Sequence, residues 1–274
     1  MDSAAPLYEA APFYFGVSPK RLYGFHHPPQ VSLGKSSAVV ICAPIGQEYI
    51  QSHRVIYQLA VLLSKAGFHV LRFDYFGCGD SEGNFDQGSL VQWTKDIHTA
   101  IDEIRNRSKL TRLSLIGLRI GATLALRAAV DSPHVDSIIV WQPIFDGRLY
   151  LEELAEIQQD DYQGTEFQKK QIRDPSVMET PNEILGFPMT SELKLELEMI
   201  SLDALKLRPD IKVLVFCNNE GSKSVGDLSR FLKNHPHADF HVIADQSEVW
   251  MLYRRVTPFS SLQYLSKWID TVQS

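Results

Sequence analysis

Six short apolar runs, each closed by a turn, constrain this chain more than any other feature. The first is Ser37–Ala43, rich in β-formers and bounded by Lys35 and Pro44. Phe68–Asp74, Thr111–Gly117, Asp136–Pro143, Ile211–Cys217 and Ala238–Ala244 follow. The first run reads as a strand buried on both faces, and the others as further strands. Helical periodicity covers the intervals Ile50–Lys65, Leu90–Arg107 and Ile120–Val130, and a last helix is predicted over Ser260–Val272. In the first of these, Val55, Leu59, Leu62 and Leu63 share a face and Gly67 ends the helix. The alternation predicts an α/β domain: a mostly parallel sheet with helices on both faces. Phe13–Phe15 and Arg21–Phe25 are expected as an antiparallel hairpin at one edge. Gly147–Arg208 breaks the rhythm, being polar and helix-prone with a proline-bearing middle. It is expected to form a helical lid (147–208) inserted into a core made of 1–146 and 209–274.

A chain of 274 residues can bury one large core of this kind. Its apolar and charged fractions, 44% and 22%, are those of a soluble globular protein. The net charge of −6 offers no footprint for nucleic acid. No apolar run approaches the ~18 residues a membrane span needs, and Met1 to Pro12 lacks the pattern of a signal peptide. Cys42, Cys78 and Cys217 are widely spaced and odd in number, which suggests neither a disulfide framework nor a metal site. A reducing cytoplasm is the expected location. Nothing calls for a metal or a cofactor, and oligomeric state is left open.

The segment "LSLIGLRIGATLALRAA" places Gly117-Leu118-Arg119-Ile120-Gly121 between a strand and a helix. That is the spacing and context of the nucleophile elbow G-x-S-x-G, whose middle residue stands exposed on a sharp turn. Here the middle residue is an arginine. A guanidinium stays protonated in proteins and cannot attack a carbonyl, so a standard serine mechanism is not expected.

The turn "RFDYFGCGDSEG" resembles the D-x-x-G-x-G-x-S turn of α/β-hydrolases related to serine aminopeptidases. Together with "APIGQEYIQSHR", "GLRIGA", "WQPIFDGRLYLEEL", "GFPMTSEL" and "SEVW", it is similar to the type 2 exosortase A-associated hydrolases. The resemblance covers most of residues 38–255 and implies the α/β-hydrolase fold with Arg119 at the elbow and a glutamate at the histidine position. Aligned so, Glu248 in Asp245–Trp250 takes the histidine position, and Glu220 is the carboxylate close enough to serve as the acid. Arg119 and Glu248 then invite an ion pair, unless Glu248 simply faces water.

Several other residues are candidates for the same site. Cys78, between Gly77 and Gly79, is a nucleophile if its pKa is lowered, and otherwise a small buried hydrophobe. Oxyanion donors are expected at the backbone of Ile120 and in the loop at Gly46 or Gln47. His53 either reaches the site or lies on a solvated helix face. Tyr49, Tyr75, Trp141 and Trp250 line a pocket or fill the core. Two functions stay open. One is an enzyme acting on an acyl, ester or thioester compound, possibly carrier-bound, through a rebuilt site. The other is a pseudohydrolase that binds a small anionic or acyl ligand, or a protein partner, without turnover. In the first, Arg119 is expected to anchor an anionic or carbonyl group.

Overall fold

The computed structural model describes residues 10–31, 35–164, 182–201, 205–217, 232–233, 235–242 and 259–273. Among them, eight strands form one sheet. These are β1 (Ala11–Phe15), β2 (Leu22–His27), β3 (Ser37–Cys42), β4 (His69–Phe73), β5 (Arg112–Leu118), β6 (Val135–Trp141), β9 (Lys212–Cys217) and β10 (Ala238–Val242). Two short strands, β7 (Glu183–Ile184) and β8 (Phe187–Pro188), pair apart from it. The order in the sheet is β1-β2-β4-β3-β5-β6-β9-β10. All pairings from β4 to β10 are parallel, and β1 and β2 add an antiparallel edge. The helices are α1 (Gly46–Lys65), α2 (Leu90–Ser108), α3 (Ile120–Asp131), α4 (Gly147–Gly164), α5 (Ser191–Glu198) and α6 (Phe259–Gln273). None of the described helices is long and apolar enough to cross a membrane.

Side chains alternate across the sheet into two cores, which is why the central strands β3, β5, β6 and β9 read as mostly apolar runs. Ala38, Val40 and Cys42 of β3 point to the α2–α3 side with Leu113, Leu115, Ile138, Val140, Val213 and Val215. Val39 and Ile41 point to the α1–α6 side with Ile116, Leu118, Ile139, Trp141, Leu214 and Phe216.

Three expectations are corrected. The loop at Gly46 and Gln47 is the first turn of α1, so that helix begins earlier than its apolar face suggests. The 147–208 interval is not wholly helical, because the β7–β8 hairpin lies between α4 and α5. Nor is it only a cover, because Tyr150, Leu151, Leu154, Met189, Leu193 and Leu197 are buried in the same core as α2 and α3.

Candidate functional site

The corner between β5 and α3 sets the site. Arg119 caps α3 with φ 54 and ψ −124. That conformation costs a residue with a side chain and persists only where its surroundings enforce it. They do so here. Arg119 N donates to Trp141 O at 2.9 Å, and Ala122 N donates to Arg119 O at 2.9 Å. A Cβ on Gly121 would collide with the carbonyl oxygens of Cys42 and Ala43, so only glycine lets α3 approach β3 this closely.

The Arg119 side chain is buried among carboxylates. Its Nε donates to Glu48 Oε1 at 2.6 Å and its Nη2 to Glu153 Oε2 at 2.7 Å. Tyr150 OH donates to the other oxygen of Glu48 at 2.8 Å. The Glu48 side chain is 3% exposed and that of Glu153 43%. Burial opposes the guanidinium charge, but Glu48 and then Glu153 outweigh it and raise the Arg119 pKa. Burial, then Glu48, pushes the Tyr150 hydroxyl far up, so it stays a donor. Two carboxylates share one guanidinium, which leaves the cluster with excess negative charge.

A narrow apolar cleft opens beside this cluster. Glu48 and Tyr150 meet Ile45, Leu154, Leu185, Phe187 and Met189 there. Its free interior is about 20 Å³, on the scale of one water molecule. The β7–β8 hairpin closes it, with Phe187 packed 5.2 Å from Phe85, centroid to centroid.

The glycine-rich turn after β4 is a second polar centre. Tyr49 OH donates to Asp74 Oδ1 at 2.5 Å, and Asp80 N donates to Asp74 Oδ2 at 3.0 Å. A Cβ on Gly79 would collide with Asp74 Oδ2, which explains the glycine. Ser81 Oγ donates to Asp74 O at 2.6 Å. Burial raises the Asp74 pKa despite these donors.

The remaining sequence candidates fall in different places. Cys78 does not meet the condition for a nucleophile: burial pushes its thiol up, and Asp74 and Asp96 push it further. His53 is exposed and packs edge-on against Tyr49 near Asp74. Tyr75 and Trp141 are core residues, 1% and 3% exposed, and not a pocket lining. Ile120 opens α3, where its N–H has no intrahelical acceptor. Glu220, Glu248 and Trp250 lie outside the described residues. Sequence reasoning missed Glu48, Tyr150 and Glu153. Their only signal was position, in "GQEY" and "LYLEEL", segments already quoted for the resemblance.

The sheet order, the corner at Arg119 and the helices on both faces define the α/β-hydrolase fold. Solved structures agree: proline iminopeptidase from Mycobacterium smegmatis superimposes with a TM-score of 0.65 at 15% identity, covering 96% of this chain and 99% of that one. The hypothetical protein PA2218 from Pseudomonas aeruginosa gives 0.65 at 19% identity, covering 97% and 94%. Residues 36–181, just over half of the chain, match the serine aminopeptidase S33 family, and the chain belongs to it. A shorter stretch is similar to the human mitochondrial palmitoyl-protein thioesterase ABHD10, 36% identical over 68 residues. That stretch is 25% of this chain and 21% of that protein.

Proposed function

We propose that this protein binds a neutral acyl compound, an ester or thioester that is free or carrier-bound, without serine-based turnover. The observation that carries the reading is the Arg119 cluster: the residue at the elbow corner is an arginine held between Glu48 and Glu153. Arg119 takes the place of the nucleophilic serine, as in the type 2 exosortase A-associated hydrolases that the sequence resembles. The excess carboxylate disfavours a free acid and leaves a neutral acyl head as the better ligand. The walls of the cleft beside Tyr150 are apolar and suit an acyl chain, which an interior of about 20 Å³ admits only if the β7–β8 hairpin yields. The partial likeness to a thioesterase points to the same ligand class. Three free cysteines, two of them buried, suit a reducing cytoplasm.

The test pairs labelling with binding. A fluorophosphonate probe should leave the protein unlabelled, while acyl esters or thioesters bind on the order of tenfold more tightly than the matching free acids. Stoichiometric labelling of a serine overturns the absence of serine chemistry. Equal affinity for the acids overturns the ligand class.

A further inference from the structure

The seam between β2 and β4 holds a titratable cluster that the candidate site does not use. His26 and His27 end β2, and His69 and Arg72 lie on β4, with Phe25 paired to Arg72 and His27 to Val70. His26 Nε2 and His69 Nδ1 are 3.1 Å apart, and the rings are parallel to within 6°. One ring donates and the other accepts, so the contact holds a single proton. Arg72 Nε donates to His27 Nε2 at 3.0 Å, which requires that nitrogen to be unprotonated. His27 is 2% exposed.

A further proton on His27 breaks the second contact, because it must enter at Nε2 and sets an imidazolium against the Arg72 guanidinium. The first contact keeps its shared proton when one ring is charged and is lost when both are, because two N–H groups then stand face to face. The carboxylates nearby are already engaged: Glu103 pairs with Arg107, and Asp74 accepts from Tyr49 OH and Asp80 N. His26 faces His69 on β4 and Arg107 at the end of α2, while His27 faces Arg72 and, edge-on, Tyr57 of α1. Arg72 in turn faces Tyr49 and Tyr57 on α1, Tyr23 on β2, and Asp74. Burial first, then His69 and Arg107 for His26 and Arg72 for His27, lowers both to about 4.

The β1–β2 hairpin also clamps the glycine-rich turn. Tyr23 N donates to Ser81 Oγ at 2.8 Å, Asp74 N donates to Tyr23 O at 2.9 Å, and Arg21 pairs with Glu82 at 2.7 Å. We infer that the β2–β4 seam is an acid-sensitive latch: proton uptake by His26 and His27 releases the β1–β2 hairpin and loosens the turn it holds. The sign follows from linkage. The open form holds protons more tightly, near the ordinary histidine value of about 6.5. The latch is therefore complete above that pH and weakens as pH falls toward about 4.

Amide hydrogen exchange, corrected for its intrinsic pH dependence, tests the latch. Between about pH 7 and about pH 5, protection in β1 and β2 should fall on the order of tenfold per imidazole, while β5 and β6 hold theirs. The double variant His26→Gln with His27→Gln, which cannot titrate, should lose this difference. Equal behaviour of β2 and β5 in the unaltered protein overturns the latch. Histidine titration by NMR in that same protein is a second reading: values below about 5 support the latch, and values near the ordinary ~6.5 overturn it even if the variant fails to fold.

Discussion

Glu48 and Tyr49 are neighbours in the first turn of α1, yet they fasten the helix to different partners by different physics. Glu48 reaches the elbow, where its carboxylate meets the Arg119 guanidinium and the Tyr150 hydroxyl. Tyr49 reaches the glycine-rich turn, where a neutral phenol meets the Asp74 carboxyl. The first attachment is a buried ion pair whose halves cannot be removed singly without stranding a charge. The second is a hydrogen bond to a group whose pKa burial has already raised, so losing the phenol strands less. One helical turn thus joins a charged centre to one that burial pushes toward neutrality.

The sharpest way to break that comparison is Arg119→Ala. It leaves Glu48 buried with Tyr150 as its remaining partner, and stability measured by urea unfolding should fall by about 3–5 kcal/mol. Adding Glu48→Ala should recover part of the loss. If the two single losses simply add, the pair carries no coupling and the elbow is no more charged a centre than the turn.

Tyr49→Phe is expected to cost less, about 1–2 kcal/mol, because Asp74 keeps the Asp80 N–H. A loss as large as that of Arg119→Ala would show that the phenol holds an ionised Asp74, and the contrast between the two attachments would collapse.

The sequence made the frame legible and hid these attachments. Strands buried on both faces announce themselves as apolar runs, and β3, β4, β5, β6 and β9 lie within a residue or two of their expected bounds. The start of α1 was hidden because Gly46, Gln47 and Glu48 are polar or conformationally free, and so look like a loop. The β7–β8 hairpin was hidden because its two-residue strands are too short to alternate. Arg119 was legible from its flanking glycines, since a tight corner leaves a local pattern. Its partners Glu48 and Glu153 were not, because a carboxylate buried by tertiary contact looks in sequence like any surface glutamate.

Glu153 sharpens the comparison from within the charged centre. Its side chain is 43% exposed against 3% for Glu48, although both bond the same guanidinium at similar distances. Solvent screens the Glu153 pair, and Arg119 keeps Glu48 when Glu153 is neutralised. Glu153→Gln should therefore cost under about 1 kcal/mol in urea unfolding, the smallest effect of the three. Its effect on ligands should be larger than its effect on stability. Removing one of two carboxylates cancels the excess negative charge, so free acids should gain affinity relative to their esters. Competition binding with an acid and its matching ester measures this directly. An unchanged preference would show that the excess charge at Glu153 does not set ligand choice, leaving Glu48 and the cleft walls to do so.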